Sequence, residues 1–111
     1  MNFVHQAIFS REKNLYQFYP EIPLLPIVGA PSDANWQRWS MLHDGSEYRM
    51  YCFKGSTSDT LYQFTWDGNS YRYGHNNSYP KLNITGIPDD ADTSSFSMLY
   101  GQEHFKYASN S

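Results

Sequence analysis

Between Tyr48 and Gly74 apolar and aromatic residues alternate with polar ones, in Tyr-Arg-Met-Tyr-Cys-Phe (48–53), Thr-Leu-Tyr-Gln-Phe-Thr-Trp (60–66) and Ser-Tyr-Arg-Tyr-Gly (70–74). A period of two belongs to strands with one buried face, because successive side chains point to opposite sides. Lys54-Gly55-Ser56 and Asp67-Gly68-Asn69 separate the segments, so the stretch predicts a three-stranded antiparallel meander. Asp67-Gly68 is the strongest turn signal, since a tight hairpin needs positive φ and Asp-Gly supplies it at little cost.

The pattern recurs along the chain. Ile27–Ala34 (IVGAPSDA) is answered by Ile84–Ala91 (ITGIPDDA), and Trp39–His43 (WSMLH) by Phe96–Tyr100 (FSMLY), both 57 positions on; Leu15-Tyr16-Gln17-Phe18 is answered by Leu61-Tyr62-Gln63-Phe64, 46 positions on. Two repeat units follow, over about 3–43 and 44–108, the first shorter by about a strand. The complete copy reads as strands A (Trp39–His43), B (Tyr48–Phe53), C (Thr60–Trp66) and D (Ser70–Gly74). The chain opens on a B-like Phe3–Phe9 and a C-like Asn14–Tyr19, and it closes on an A-like Phe96–Tyr100 and a B-like His104–Ala108. A four-stranded sheet leaves two edges and a face to cover, and radial repetition of such sheets is the propeller solution. The expected fold is therefore all-β and β-propeller-like, with two four-stranded antiparallel repeat units. The ring is expected to be completed by oligomerisation, a trimer being favoured over a monomeric barrel or sandwich. Asp33–Arg38 and Asp90–Ser95 are expected as short helical turns, the first capped by Ser32 or Asp33. The prolines at 20, 23, 26 and 31 make Glu21–Ala30 extended or irregular.

Composition narrows the partners. Ten Tyr, seven Phe and three Trp stand against only 17% charged residues and a net charge of −3, so contacts through rings and hydroxyls are favoured over contacts through charge. With no Lys/Arg cluster, nucleic acid is not an expected partner, because its binding leans on phosphate neutralisation. The single Cys52 cannot form an intrachain disulfide and reads as a small buried hydrophobe. Residues 1–13 lack a basic segment followed by an apolar run, and no stretch has the length to span a bilayer. The expectation is a cytoplasmic protein without a membrane partner, export by a route without a cleaved signal being left open. The sequons at Asn76 and Asn83 are then chance.

The segment Trp66–Gly74 resembles the C–D hairpin of the fucose-binding propeller lectins of bacteria and fungi. Their hairpin has an aromatic, Asp-Gly, a second aromatic five positions after the first and a Gly three beyond, matched by Trp66, Asp67, Gly68, Tyr71 and Gly74. An Arg of the B strand is matched by Arg49, and the family's acidic residue three before the first aromatic is Gln63 here. The resemblance covers about thirty residues of one unit. It implies a non-catalytic carbohydrate-binding module without cofactor or metal, three two-blade chains forming a ring in some members. Its ligand-binding set would be Arg49, Gln63, Trp66, Tyr71 and Gly74, with His75 adjoining. Sugar C–H faces stack on rings, and a guanidinium offers a planar fork of donors. Gln63 keeps an acceptor oxygen but not the charge of a carboxylate.

Each of these residues also has a structural reading: Trp66 and Tyr71 as blade-face rings, Arg49 and Gln63 as cross-strand or solvated polar residues. Trp36 and Trp39 would be a binding shelf or, for Trp39, core, since Phe96 repeats it. Asp33, Asp89, Asp90 and Asp92 would ligate calcium or, more simply, cap turns. His5, His43, His75 and His104 have no metal-site spacing, and no nucleophile, phosphate-loop or dinucleotide motif occurs. A protein-interaction or assembly module is the alternative function; an enzyme on this scaffold would need a pair of acids that nothing selects.

Overall fold

The computed structural model describes residues 2–18, 24–56, 59–75, 80–100 and 105–110, and the chain is all-β. Its strands are β1 (Asn2–Val4), β2 (Ile8–Ser10), β3 (Leu15–Gln17), β4 (Leu25–Val28), β5 (Ala34–His43), β6 (Tyr48–Lys54), β7 (Thr60–Trp66), β8 (Tyr71–Tyr73), β9 (Lys81–Asn83), β10 (Asp92–Tyr100) and β11 (Phe105–Asn110). Seven form one sheet in the order β1-β4-β8-β7-β6-β5, with β9 also paired to β7. The hairpins β2–β3 and β10–β11 are separate two-stranded sheets. No helix of the described residues is long and apolar enough to cross a membrane.

The alternating stretch forms the centre of the large sheet. β6 pairs antiparallel with β5 and β7, and β7 with β8. Residues 50–53 and 61–65 are buried on both faces, which is why these strands read as nearly continuous apolar runs. One face carries Met50, Cys52, Tyr62, Phe64 and Tyr71, joined by Val4 and Ile27 from the far strands. The opposite face carries Leu42, Tyr51, Phe53 and Leu61, covered by Leu82, Ile84, Ile87 and Met98. Burying one such side chain contributes about 1.5–3 kcal/mol, so these two layers carry most of the fold's stability. β10 lies against β5, where the Met98 N–H donates to Ser40 Oγ at 3.0 Å. Burial pushes the Cys52 thiol up to about 12, as suits an inert core residue.

Several expectations need correction. The sheet does not stop at four strands, because β4 pairs in parallel with β8 and carries β1 on its other edge. Leu25–Val28 is thus a strand despite Pro26, within the segment read as extended or irregular. Phe3–Phe9 is not one strand: the β1–β4 pairing ends at Val4 opposite Leu25, and the chain leaves the sheet before β2 begins. Asp33–Arg38 is not helical, since a turn closed by Ala34 N–H to Pro31 O (3.1 Å) leads straight into β5. Asp90–Ser95 likewise enters β10 from Asp92. The Asp33 carboxylate accepts the Tyr62 hydroxyl at 2.7 Å instead of capping a helix. Trp39 is 42% exposed, because the irregularity between Asn35 and Trp39 turns Trp36 inward onto Phe64, ring centroids 5.5 Å apart. Tyr19, Glu21, Pro20, Pro23, Asn76 and His104 lie outside the described residues.

Local features recur 57 residues apart. Gly29 and Gly86 both have φ of 77°. Ala91 N–H to Pro88 O repeats the turn of Ala34 and Pro31 at the same 3.1 Å. Ser40 pairs with Tyr51 and Ser97 with Ala108; Asn35 pairs with Phe53 and Asp92 with Asn110, with a register irregularity at the corresponding place in each ladder.

Candidate functional site

Two hairpin turns of the large sheet share one sequence pattern, Asp-Gly-x-x-Tyr-Arg: Asp44-Gly45-Ser46-Glu47-Tyr48-Arg49 joins β5 to β6, and Asp67-Gly68-Asn69-Ser70-Tyr71-Arg72 joins β7 to β8. Inside the registers His43↔Tyr48 and Trp66↔Tyr71, the Asp44 N–H donates to Glu47 O (3.0 Å) and the Asp67 N–H to Ser70 O (2.9 Å), which makes each a two-residue loop. Gly sits at the first loop position with φ of 96° and 101°, a conformation only glycine adopts without strain. Each Asp holds its loop from inside. Asp44 Oδ1 accepts the N–H groups of Ser46 (3.0 Å) and Glu47 (2.7 Å), and Asp67 Oδ1 those of Asn69 (2.8 Å) and Ser70 (2.7 Å). In each turn the other carboxylate oxygen accepts Nε of the Arg five residues on, Arg49 at 2.6 Å and Arg72 at 2.9 Å.

The shifts of the two carboxyls follow from these contacts. Burial alone would raise Asp44, but the Arg49 guanidinium, the N–H groups of Glu47 and Ser46 and the Ser46 hydroxyl outweigh it and hold the group well below the usual carboxylate range. Asp67 is lowered as well, by the Asn69 N–H first, then by Arg72 and the Ser70 N–H.

Alternation then sends Tyr and Arg of each turn to opposite faces. Tyr48 and Tyr71 point toward the Met50–Phe64 side, where β1 and β5, the two ends of the strand order, approach each other across a cleft. One cavity of about 420 Å³ lies between Val4, His5, Gln6 and Ala7 after β1, Leu25 of β4, and Met41, Leu42, His43, Tyr48 and Tyr71. A second of about 410 Å³ shares Gln6, Leu25, Tyr48 and Tyr71 with it and adds Trp66. Trp66 and Tyr71 are neighbours across the hairpin, with centroids 5.0 Å apart and planes tilted by 56°. His43 meets Tyr48 edge-on at 4.6 Å, its Nδ1 accepting the Gly45 N–H. Burial raises the Tyr71 phenol above its ordinary value, with a further contribution from Tyr48, which lines the same two cavities. No carboxylate, Lys or Arg lines either cavity among the described residues.

The residues singled out from sequence are divided by this geometry. Trp66 and Tyr71 line the cleft. Arg49 and Gln63 face the other side of the sheet, with Tyr51 and Thr65, as the registers Arg49↔Thr65 and Tyr51↔Gln63 require. Arg49 is held by Asp44, by Glu47 at 2.9 Å and by Thr65 Oγ1 at 3.4 Å. Gln63 is buried, and its Oε1 accepts the Tyr51 hydroxyl at 2.7 Å. The four therefore do not form one constellation. Gly74 ends β8 with φ of 75°. Half-buried His75 follows it and is not part of either cavity wall. Sequence reasoning missed Tyr48, His43 and Gln6 as cleft residues. The Asp-Gly-x-x-Tyr-Arg repeat was the signal for Tyr48, since it makes that residue the counterpart of Tyr71. No family model matches the chain, and neither a curated protein nor a solved structure matches it.

Proposed function

We propose that the chain is a non-catalytic carbohydrate-binding module whose ligand is a neutral sugar held in the cleft between Tyr48, Trp66 and Tyr71. The observation that carries this reading is the cleft wall: Trp66 and Tyr71 in ring contact, exposed Tyr48 beside them, and polar His5, His43 and Gln6 on the rim. Ring faces match the C–H faces of a pyranose, while phenol, imidazole and amide groups exchange hydrogen bonds with its hydroxyls. Cavities of this size accept one or two sugar rings. Among the described residues the lining carries no Lys or Arg, which favours a neutral sugar over a uronic or sialic acid.

Single sites of this kind bind weakly, and display of several copies raises avidity. The resemblance to two-blade propeller lectins, together with the turn and register repeated 57 residues on, supports repeat units that close a ring between chains, three chains giving six units. The assembly-module reading draws on a different observation, the exposure of Ile8, Phe9, Leu15, Tyr16 and Phe18 on and beside the β2–β3 hairpin.

Calorimetric titration with neutral mono- and oligosaccharides tests the sugar reading. Binding is expected for the native chain and a loss of at least tenfold for Tyr48→Ala, with little change for Arg49→Lys, whose side chain lies on the opposite face. Absence of binding across neutral sugars, or a loss with Arg49→Lys equal to that with Tyr48→Ala, overturns it.

A further inference from the structure

Two short hairpins of this chain, β2–β3 and β10–β11, are separate two-stranded sheets. β10–β11 repeats the β5–β6 pair in turn, irregularity and register 57 residues on. In the large sheet β6 is followed by β7, whose Leu61-Tyr62-Gln63-Phe64 pairs with Phe53, Cys52, Tyr51 and Met50. β11, the counterpart of β6, has one strand neighbour among the described residues, β10. The Leu61-Tyr62-Gln63-Phe64 part of β7 occurs once more, as Leu15-Tyr16-Gln17-Phe18 in and after β3, and among the described residues β3 pairs with one strand, β2.

We infer that β3 of one copy pairs antiparallel with β11 of another, giving a four-stranded sheet in the order β10-β11-β3-β2 shared between two chains. Applying the two offsets to the β6–β7 register places Leu15 opposite Asn110, Tyr16 opposite Ser109, Gln17 opposite Ala108 and Phe18 opposite Tyr107. Two-stranded sheets are marginal in water, and pairing joins two of them into a sheet of the size that is stable alone. It also gives a covering to Tyr16 and Phe18, which are 72% and 71% exposed in the single chain. Because the two surfaces differ, the contact is head-to-tail, and such contacts build closed rings when the rotation per copy allows it. This rests on the assembly part of the reading proposed above and not on sugar binding.

The test uses two single variants, Gln17→Cys and Ala108→Cys, with buried Cys52 left in place. Mixed and oxidised, they are expected to give a disulfide-linked pair of chains at least tenfold above a mixture of Gln17→Cys with Tyr107→Cys, whose side chains would project from opposite faces. Tyr16→Lys, at an exposed position of the single chain, is expected to lower the mass by light scattering without loss of folded signal. No mixed link in a protein that remains an oligomer overturns the strand pairing and leaves the ring standing. A monomeric native protein overturns both. A link that forms only within one chain, in the double variant, overturns pairing between copies.

Discussion

The turns at Asp44–Arg49 and Asp67–Arg72 have the same chemistry but different surroundings. Both fold around an Asp that accepts two backbone N–H groups and an Arg Nε, yet Tyr48 is 55% exposed and Tyr71 only 3%. Tyr71 lies within the sheet, paired with Trp66 and followed by β4; Tyr48 is paired with His43 on the edge strand β5. The arginines show the reverse order. Arg49 is confined by two carboxylates with 17% of its side chain exposed, and Arg72 meets one with 48% exposed. The motif sets local geometry, and position in the sheet decides whether its aromatic is a buried ring beneath the cleft, as Tyr71 is, or an exposed one on its wall, as Tyr48 is.

The sharpest break between the two turns is expected from the tyrosines. Tyr71→Ala removes a buried ring from the main cluster and should lower unfolding free energy by roughly 3–5 kcal/mol, measured by urea denaturation. Tyr48→Ala should leave stability within about 0.5 kcal/mol while removing sugar binding. Equal destabilisation by both would erase the distinction. Next come the arginines. Arg49→Ala removes a mostly buried guanidinium from two carboxylates, Asp44 and Glu47, and should cost roughly 2 kcal/mol, whereas Arg72→Ala removes one that is 48% exposed and should cost less in the same assay.

A smaller and equal effect is expected at the two glycines. Gly45→Ala and Gly68→Ala force a positive φ on an L residue and should each cost about 1 kcal/mol. At Gly68 an added Cβ meets nothing within 4 Å, so that cost is conformational alone. Acid titration gives the smallest signal. Both Asp carboxyls are depressed in the folded chain, so their stabilisation is complete above the ordinary value of 3.8 and is lost as pH falls below it. Asp44→Asn should shift the acid-unfolding midpoint more than Asp67→Asn, because the carboxylates are similarly covered, at 11% and 13% exposed, but Asp44 holds an Arg49 that is 17% exposed and Asp67 an Arg72 that is 48% exposed. The opposite order would mean that exposure does not govern the two sites.

Much of the central sheet was legible in the sequence. Period-two alternation over 48–53 and 60–66, with Asp67-Gly68 between apolar runs, is enough for β6, β7 and β8, and Trp66 and Tyr71 carry the cleft's aromatic character on their face. The split of the expected site was legible too: Gln63 and Trp66 are three apart in one strand and so point to opposite faces, a parity that resemblance to a lectin hairpin does not override. By contrast, β4 pairs in parallel with β8 across more than forty residues of chain, and no local period encodes such a partner. Pro26 and the irregularity after Asn35 further hide β4 and the start of β5, where Trp36 rather than Trp39 packs inward.

Trp66 and Trp39 offer the most direct measurement. Trp66 lines the cleft, while Trp39 stands on the edge strand outside both cavity walls. With indole N–H resonances assigned by Trp66→Phe and Trp39→Phe, titration with a neutral oligosaccharide should move the Trp66 signal in a saturable way and leave Trp39 in place. Movement of Trp39 alone, or of neither signal across a panel of neutral sugars, would contradict a sugar site between Tyr48, Trp66 and Tyr71.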